Sequence, residues 1–400
     1  MLAGCTEQQG TANSQKVIKI GLLVDLSGGL ATYGTNEKYV SQIAEEEINK
    51  YFKEKGMPYS VKVYVADTKA DPKVCNDKIQ ALHAMGINLF VGPMASGEVK
   101  NIKNYVNSNK LVIISPSSTA PPKMIGCEKP EDKKYIFRFV PTDNFQGNAI
   151  GDLVKDLKLK NVLIIYRKDA WGQGLEEATV KKLKSNGINV IDEVPYTADI
   201  SDWSPIIQTA NDKLKGKNPD DTGIVFIGYE EGASLLSQID KNSPLLNYKW
   251  IGCDGIANSK KVVTEVKDKA IKIGLYSTMF KSEGKTAKMI DEVFKNKKYG
   301  TPDQYALNAY DAFWVGAISY AEVLDENGKY DADKLSSKIK ENCIKYSEGK
   351  FGVQSATGYI KLDKWNDRAS GNYAIFKVTK DGWIQAGVWD SETGKIKWNE

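Results

Sequence analysis

The stretch Val91-Gly92-Pro93-Met94-Ala95-Ser96-Gly97, followed by a helical segment and then by Leu111-Val112-Ile113-Ile114-Ser115-Pro116-Ser117-Ser118-Thr119, decides the fold class of this chain. Each of two short, continuously apolar runs ends in a loop of hydroxyls and free backbone amides. This is the pattern of neighbouring strands buried on both faces of a parallel sheet. A helix starting near Ser96-Gly97 aims its first unpaired N–H groups, and the positive end of its dipole, at whatever lies above the strand ends. That geometry suits a small carboxylate. It is not a phosphate loop: Gly92 and Gly97 have the right spacing, but Glu98-Val99 stands where Lys-Ser/Thr would be needed.

Outward from this stretch, strand and helix patterns alternate. Ile18–Val24 reads as an apolar strand, and Val40, Ile43, Ala44, Ile48, Tyr51 and Phe52 fall on one helix face. Val61–Ala66 is the next strand. Asp71-Pro72 has the form of a helix cap with proline at the first helical position, and Gly86 that of a terminator. After Pro141 the alternation restarts with Asn161–Tyr166, Leu175–Ser185, Ile188–Val194, the stripe Trp203, Ile206, Ile207, Ala210 and Leu214, then Gly223–Gly228, Ala233–Lys241 and Lys249–Gly252. The expected class is α/β, with two doubly wound parallel-sheet lobes in succession. The final third is less regular, with a helix over Ala306–Leu324 and strands near Tyr359–Leu362 and Tyr373–Val378.

Composition narrows the function. At 400 residues the chain exceeds the usual size of a single core. With 41% hydrophobic and 26% charged residues it is an ordinary globular composition. A net charge of +4, spread along the chain, gives no reason to invoke nucleic acid. The single histidine, His83, has no second histidine with which to form a zinc pair, and a lone helical histidine is usually structural. No Gly-x-Ser-x-Gly elbow and no Gly-x-Gly-x-x-Gly fingerprint occurs, so hydrolase and dinucleotide readings lack their parts, and no cofactor is expected. Carboxylate pairs are plentiful but unplaced, which leaves a glycosidase as the rival enzyme reading.

The N-terminus points to export. Leu2-Ala3-Gly4-Cys5 matches a bacterial-type lipobox with Cys5 as lipid acceptor, and Thr6–Ser14 supplies a polar tether to a membrane. Four cysteines remain, Cys75, Cys127, Cys253 and Cys343. An even remainder in an exported protein suggests two disulfides. The pairs Cys75–Cys127 and Cys253–Cys343 are favoured among three connectivities that spacing alone does not decide. Four buried thiols are the alternative.

Ligands of open parallel sheets sit beyond the carboxyl ends of the strands. Two facing lobes would therefore form a cleft from Asp25–Gly34, Gly92–Gly97, Ser115–Ala120, Arg167–Gly174, Gly228–Gly232 and Gly252–Ala257. These loops hold the hydroxyls of Ser96, Ser117 and Thr119, the rings of Tyr33 and Trp171, and the carboxylates of Glu230, Glu231 and Asp254.

With these landmarks in order, from Ile20-Gly21-Leu22 and Tyr33-Gly34 through Val91-Gly92-Pro93, Ser115–Pro121, Phe137-Arg138 and Trp171–Gly174 to Tyr305–Ala312, the chain resembles the substrate-binding proteins of branched-chain amino acid ABC transporters, the Leu/Ile/Val-binding group of type I periplasmic binding proteins. The resemblance runs from Lys19 to the C-terminus. It implies an α-amino acid site in which Ser96 and the backbone N–H of Thr119 hold the ligand carboxylate. The Ser117 carbonyl, the Thr119 hydroxyl and Asp254 would hold the ammonium, with Tyr33 and Trp171 flanking the side chain. It further implies a tether over 1–16, a first lobe over 17–140 with 279–365, and a second over 141–278 with 366–400. Crossovers are expected near Phe139–Thr142, Leu275–Phe280 and Leu362–Gly371, and the partner would be an ABC permease served by a monomer.

Each residue also has a simpler role. Loop hydroxyls mostly cap helices and turns, Tyr33 and Trp171 could be core rings, Asp254 could cap the helix that follows it, and Glu230 and Glu231 could be solvated or first-turn charges. Two departures stand out. Glu230 occupies a position where the family often has an aromatic, which leaves room for a polar or cationic amino acid. Ala95 sits where the family's short disulfide would need a partner for Cys75, a place Cys127 could take. An amide or urea-type solute, bound by a transporter component or a sensor, is the alternative function.

Overall fold

The computed structural model describes residues 15–281, 283–324 and 328–399. The lipobox, Cys5 and the tether of residues 6–14 lie outside the described residues. The chain begins with β1 (Lys16–Val24), α1 (Ala31–Glu54), β2 (Tyr59–Asp67), α2 (Pro72–Ala84), β3 (Leu89–Val91), α3 (Ser96–Ser108), β4 (Val112–Ser115) and β5 (Ile136–Arg138). It crosses into α4 (Asp143–Asp156), β6 (Asn161–Arg167), α5 (Ala170–Ser185), β7 (Asn189–Tyr196), α6 (Ser204–Leu214), β8 (Thr222–Ile227), α7 (Glu231–Gln238), β9 (Lys249–Gly252), α8 (Lys260–Glu265), α9 (Lys267–Lys272) and β10 (Tyr276–Lys281). Helices α10 (Ala287–Lys297), α11 (Gln304–Val323) and α12 (Ala332–Ser347) follow. The chain ends with β11 (Asn372–Thr379), β12 (Gly382–Trp389) and β13 (Ile396–Trp398).

Two sheets result. The first has the order β2-β1-β3-β4-β5 and is parallel throughout. The second runs β13-β12-β11-β10-β9-β8-β6-β7, parallel from β7 to β10 and antiparallel beyond. The fully buried runs in β4 and β8 belong to strands covered on both faces. Strand alternation sorts the second lobe: Val162, Ile164, Val225 and Ile227 face one apolar cluster shared with the first lobe, while Leu163, Ile165, Ile224 and Phe226 face another. Helix α11 is buried on almost every side, between the first sheet, α1 and α12. Asp71 caps α2 by accepting the amides of Lys73 and Val74, with Pro72 at the first position, as the local sequence predicts.

Several expectations need correction. Leu275–Phe280 is not a crossover: residues from Tyr276 on form β10, paired with β9 and β11, and the chain leaves the second sheet after Lys281. Tyr359–Leu362 forms no strand, only a bridge from Leu362 to Arg368. The hairpin of β11 and β12 extends the second sheet. Its turn is Lys380-Asp381, and Gly382, at φ +106°, opens β12 opposite Thr379. Among the described residues Cys75, Cys127, Cys253 and Cys343 are buried free thiols, so the pairs Cys75–Cys127 and Cys253–Cys343 are not formed. Cys253 follows β9 in the second lobe, with its thiol directed at the Gly228 carbonyl, whereas Cys343 lies on α12, packed against the first lobe.

The first and third crossovers run side by side and are pinned electrostatically. Asp367 forms a bridge with Arg138 and takes two bonds from its guanidinium, Nε to Oδ1 and Nη2 to Oδ2, each 2.6 Å. Lys133 Nζ reaches Oδ1 at 2.6 Å, and the side chains of all three residues are fully buried. Burial alone would raise the Asp367 carboxyl, but Arg138 and Lys133 outweigh it and hold it below the usual carboxylate range. Burial pushes the Lys133 ammonium down to about 8. The end of β10, just before the second crossover, touches the same region, since the Arg368 guanidinium stacks 5.0 Å from the Phe280 ring.

Asp367→Ala would leave two buried cations without a counter-charge. The expected loss is about 3–5 kcal/mol of unfolding free energy, read as a lower urea midpoint. A midpoint within error of the parent would show that the network does not hold the crossovers.

Candidate functional site

The two strand-end loops of the first lobe are tied together by their own hydroxyls. Gly92, at φ +98°, lets the chain turn where a Cβ would come within 2.2 Å of the Leu23 carbonyl. Ser115 Oγ donates to the Pro93 carbonyl at 2.6 Å, Ser117 Oγ donates to the Met94 carbonyl at 3.2 Å, and Ser96 Oγ pairs with Ser118 Oγ at 3.0 Å. Arg138 Nη1 donates to the carbonyl of Ala120 at 2.6 Å, which fixes the end of the second loop to the crossover. Ser96 opens α3, and its amide and that of Gly97 precede the helix's first hydrogen bonds, which run from the Glu98 and Val99 amides to the Ala95 carbonyl. Thr119 is buried, and its Oγ1 has no hydrogen-bond partner among the described residues.

The second lobe presents a carboxylate and an aromatic wall. Asp169 caps α5 by accepting the amides of Trp171 and Gly172 at 3.1 and 2.9 Å, which turns the Trp171 ring toward the cleft. That ring stacks on Tyr229 with centroids 4.6 Å apart, and the Arg167 guanidinium lies 4.4 Å from the Tyr229 centroid on an arm held by Asp169 and Glu231. Asp254, just beyond β9, accepts a hydrogen bond from the Tyr305 hydroxyl through Oδ2, while Oδ1 is buried without a partner. Burial raises its carboxyl to about 6, partly offset by Tyr305 and Gln146.

Ser96, Ser117, Trp171 and Asp254 line one enclosed cavity between the lobes, together with Leu30, Met94, Tyr229, Gly255 and Tyr305. The cavity measures only about 20 Å³, about enough for a single water molecule. Thr119 stands behind this wall, beside Asp143, whose amide donates to its carbonyl at 2.8 Å. Tyr33 does not line the cavity. Its hydroxyl donates to the carbonyls of Ala257 at 2.7 Å and Asp254 at 3.1 Å, and so braces the loop that carries Asp254. Glu230 does not line it either: its carboxylate is taken by Thr32 and Ser259.

Sequence reasoning missed Asp143, Tyr229 and Tyr305. Asp143 opens α4 and is fully buried. Burial, then the neighbouring charge of Asp254, raises its carboxyl well above the usual range. In the sequence an acid at the start of a helix looks like a dipole complement, so nothing marked it. Tyr305 begins a helix 51 residues beyond Asp254, and only tertiary packing joins them.

Residues 37–381 match the receptor family ligand binding region. The chain is 70% identical to an uncharacterised protein of Methanocaldococcus jannaschii, over 99% of this chain and 96% of that protein. It is 25% identical over 371 residues to the leucine-, isoleucine-, valine-, threonine- and alanine-binding protein of Pseudomonas aeruginosa, covering 91% of this chain and 90% of that one. Among solved structures, the branched-chain amino acid transporter substrate binding protein of Streptococcus pneumoniae, in complex with isoleucine, superposes with a TM-score of 0.72 at 21% identity, covering 96% of this chain and 98% of that one, a likeness of fold.

Beneath the Ser96 helix end lies a second consequence of burial. Glu98 accepts the Ala95 amide at 2.8 Å and is completely buried, which pushes its carboxyl up to about 8. The folded chain therefore holds a proton that the unfolded chain releases above its ordinary value, so this group's contribution to stability falls as pH rises toward about 8. Between about pH 6.5 and about 8, the parent protein should lose unfolding free energy and Glu98→Gln should lose less. Denaturant midpoints at the two pH values measure the difference, and equal losses would refute the assignment.

Proposed function

The chain belongs to the family of receptor ligand-binding regions, and from that membership we propose that it captures an α-amino acid with an apolar side chain between its lobes and delivers it to an ABC permease. One observation carries the reading. Asp254 Oδ1, buried without a partner among the described residues, belongs to a residue that lines the cavity from one lobe, and Ser96 at the amide end of α3 lines it from the other, with the unpartnered Thr119 Oγ1 in the wall behind. An amide pole for a carboxylate beside a carboxylate for an ammonium is the complement of a zwitterion, whose two charges would each be paired on burial.

Ser96 and the Thr119 amide would take the ligand carboxylate. The Ser117 carbonyl, the Thr119 hydroxyl and Asp254 would take the ammonium. Leu30, Met94, Trp171 and Tyr229 offer the side chain an apolar surface, and Glu230, bonded elsewhere, adds no charge to it. The 25% identity to the Pseudomonas aeruginosa protein over nine-tenths of the chain supports a branched-chain or small aliphatic ligand and an extracytoplasmic setting. Cys5 would carry the lipid anchor, with residues 6–14 as tether, and the protein would act as a monomer. Lobe closure couples capture to docking, because the ligand contacts both lobes only in the closed form.

Calorimetric titration of ligand-stripped protein against the common amino acids tests this directly. Asp254→Asn should weaken binding by about a hundredfold and Thr119→Val by about tenfold, in line with a charge-assisted and a neutral hydrogen bond. Because only the ionised Asp254 pairs with an ammonium, affinity should fall as pH drops below about 6. Unchanged affinity in both variants would reject the site, and silence across the whole set would reject the amino acid.

A further inference from the structure

Helix α1 starts without a cap of its own: Leu30 stands at the N-cap position, no side chain of that residue can accept, and the first turn contains no acid. The missing acid comes from the other lobe. Glu230 Oε1 accepts the Thr32 hydroxyl at 2.7 Å and the Ser259 hydroxyl at 2.6 Å, and Oε2 faces the Thr32 amide at 3.4 Å. The backbone follows the same path, with the Glu230 amide donating to the Gly29 carbonyl at 3.1 Å. Glu230 precedes α7 yet makes no side-chain cap to that helix. It is 1% exposed, and Ser259, which orients it from its own lobe, is fully buried, with its carbonyl held by Trp383 Nε1 at 3.0 Å.

We infer that Glu230 is a ligand-independent latch, a positioning residue that caps α1 across the lobe interface and biases the protein toward closure. The argument is one of differential contact. A carboxylate at the first turn of a helix is stabilised by the amide pole and by the hydroxyl it accepts from. Those contacts exist only while the lobes meet, so they favour the closed population without involving a ligand. None of Glu230, Thr32 and Ser259 lines the small cavity of Ser96 and Asp254; Glu230 and Thr32 border instead a wider opening of about 970 Å³ between the lobes. The latch should therefore tighten the hold on every ligand equally and leave the choice between ligands untouched. The inference does not depend on what the cavity binds.

Small-angle X-ray scattering on the ligand-free full chain decides it. Glu230→Ala and, as a variant that leaves the buried carboxylate position intact, Thr32→Val should both increase the radius of gyration, and Glu230→Asp should recover part of the parent value. With L-leucine and L-alanine as probes, dissociation should be about fivefold to tenfold faster for both, at an unchanged ratio of affinities. Scattering profiles identical to the parent in both variants overturn the latch, and so does a changed leucine-to-alanine ratio, which would place Glu230 against the ligand. If neither amino acid binds the parent, the proposed ligand class fails while the scattering still decides the latch.

Discussion

Two buried cations sharing one buried carboxylate hold this structure in register. Arg138 and Lys133 converge on Asp367 where the first and third crossovers pass each other, and Arg138 extends to the carbonyl of Ala120 at the end of the loop after β4. Removing water from three charges is costly, and such a cluster is tolerated only when its geometry is tight and its hydrogen bonds are complete. Here the bidentate guanidinium and the lysine saturate the carboxylate. The hinge and the loop bearing Ser117 and Thr119 are consequently one polar unit, so the position of the loop and the alignment of the crossovers cannot vary independently.

The site inherits its character from that rigidity. On the first lobe most hydroxyls are spent on loop-to-loop ties, whereas Thr119 Oγ1, close to the buried Asp143 carboxylate, ties no loop among the described residues. On the second lobe, Asp169, Arg167 and Glu231 serve to place the Trp171 and Tyr229 rings. Asp254 is braced from below by Tyr305 and its loop by Tyr33. Carboxylates in this region are held above their usual pKa by burial, Asp143 and Asp254 together, which is an environment that favours an incoming cationic group.

Legibility in the sequence followed the range of the interaction. The buried runs of β4 and β8, the cap at Asp71-Pro72 and the hydroxyl-rich strand ends were readable because each rests on a few adjacent residues. Ser96, Ser117, Trp171 and Asp254 could be placed in one cleft from the rule that parallel strands present their carboxyl ends together. Glu230 stands outside the small cavity and borders the wider opening between the lobes. Its carboxylate lies in the right loop, but its partner Thr32 is 198 residues away. The pair Cys253–Cys343 failed for the same reason, since its thiols enter different lobes, and Cys75 and Cys127 stay unpaired within the first lobe.

The sequence by itself determined an α/β chain of two parallel-sheet lobes and the chemistry of the loops that face each other, because periodicity, caps and turn residues act over one or two turns of backbone. Only the tertiary structure decided which carboxylate lines the cavity, which bonds across the lobes and which lies paired at the hinge. Asp254, Glu230 and Asp367 are the same kind of group in sequence. They differ in what burial brings within hydrogen-bond reach: Tyr305, Thr32 and Arg138, from 51 to 229 residues distant.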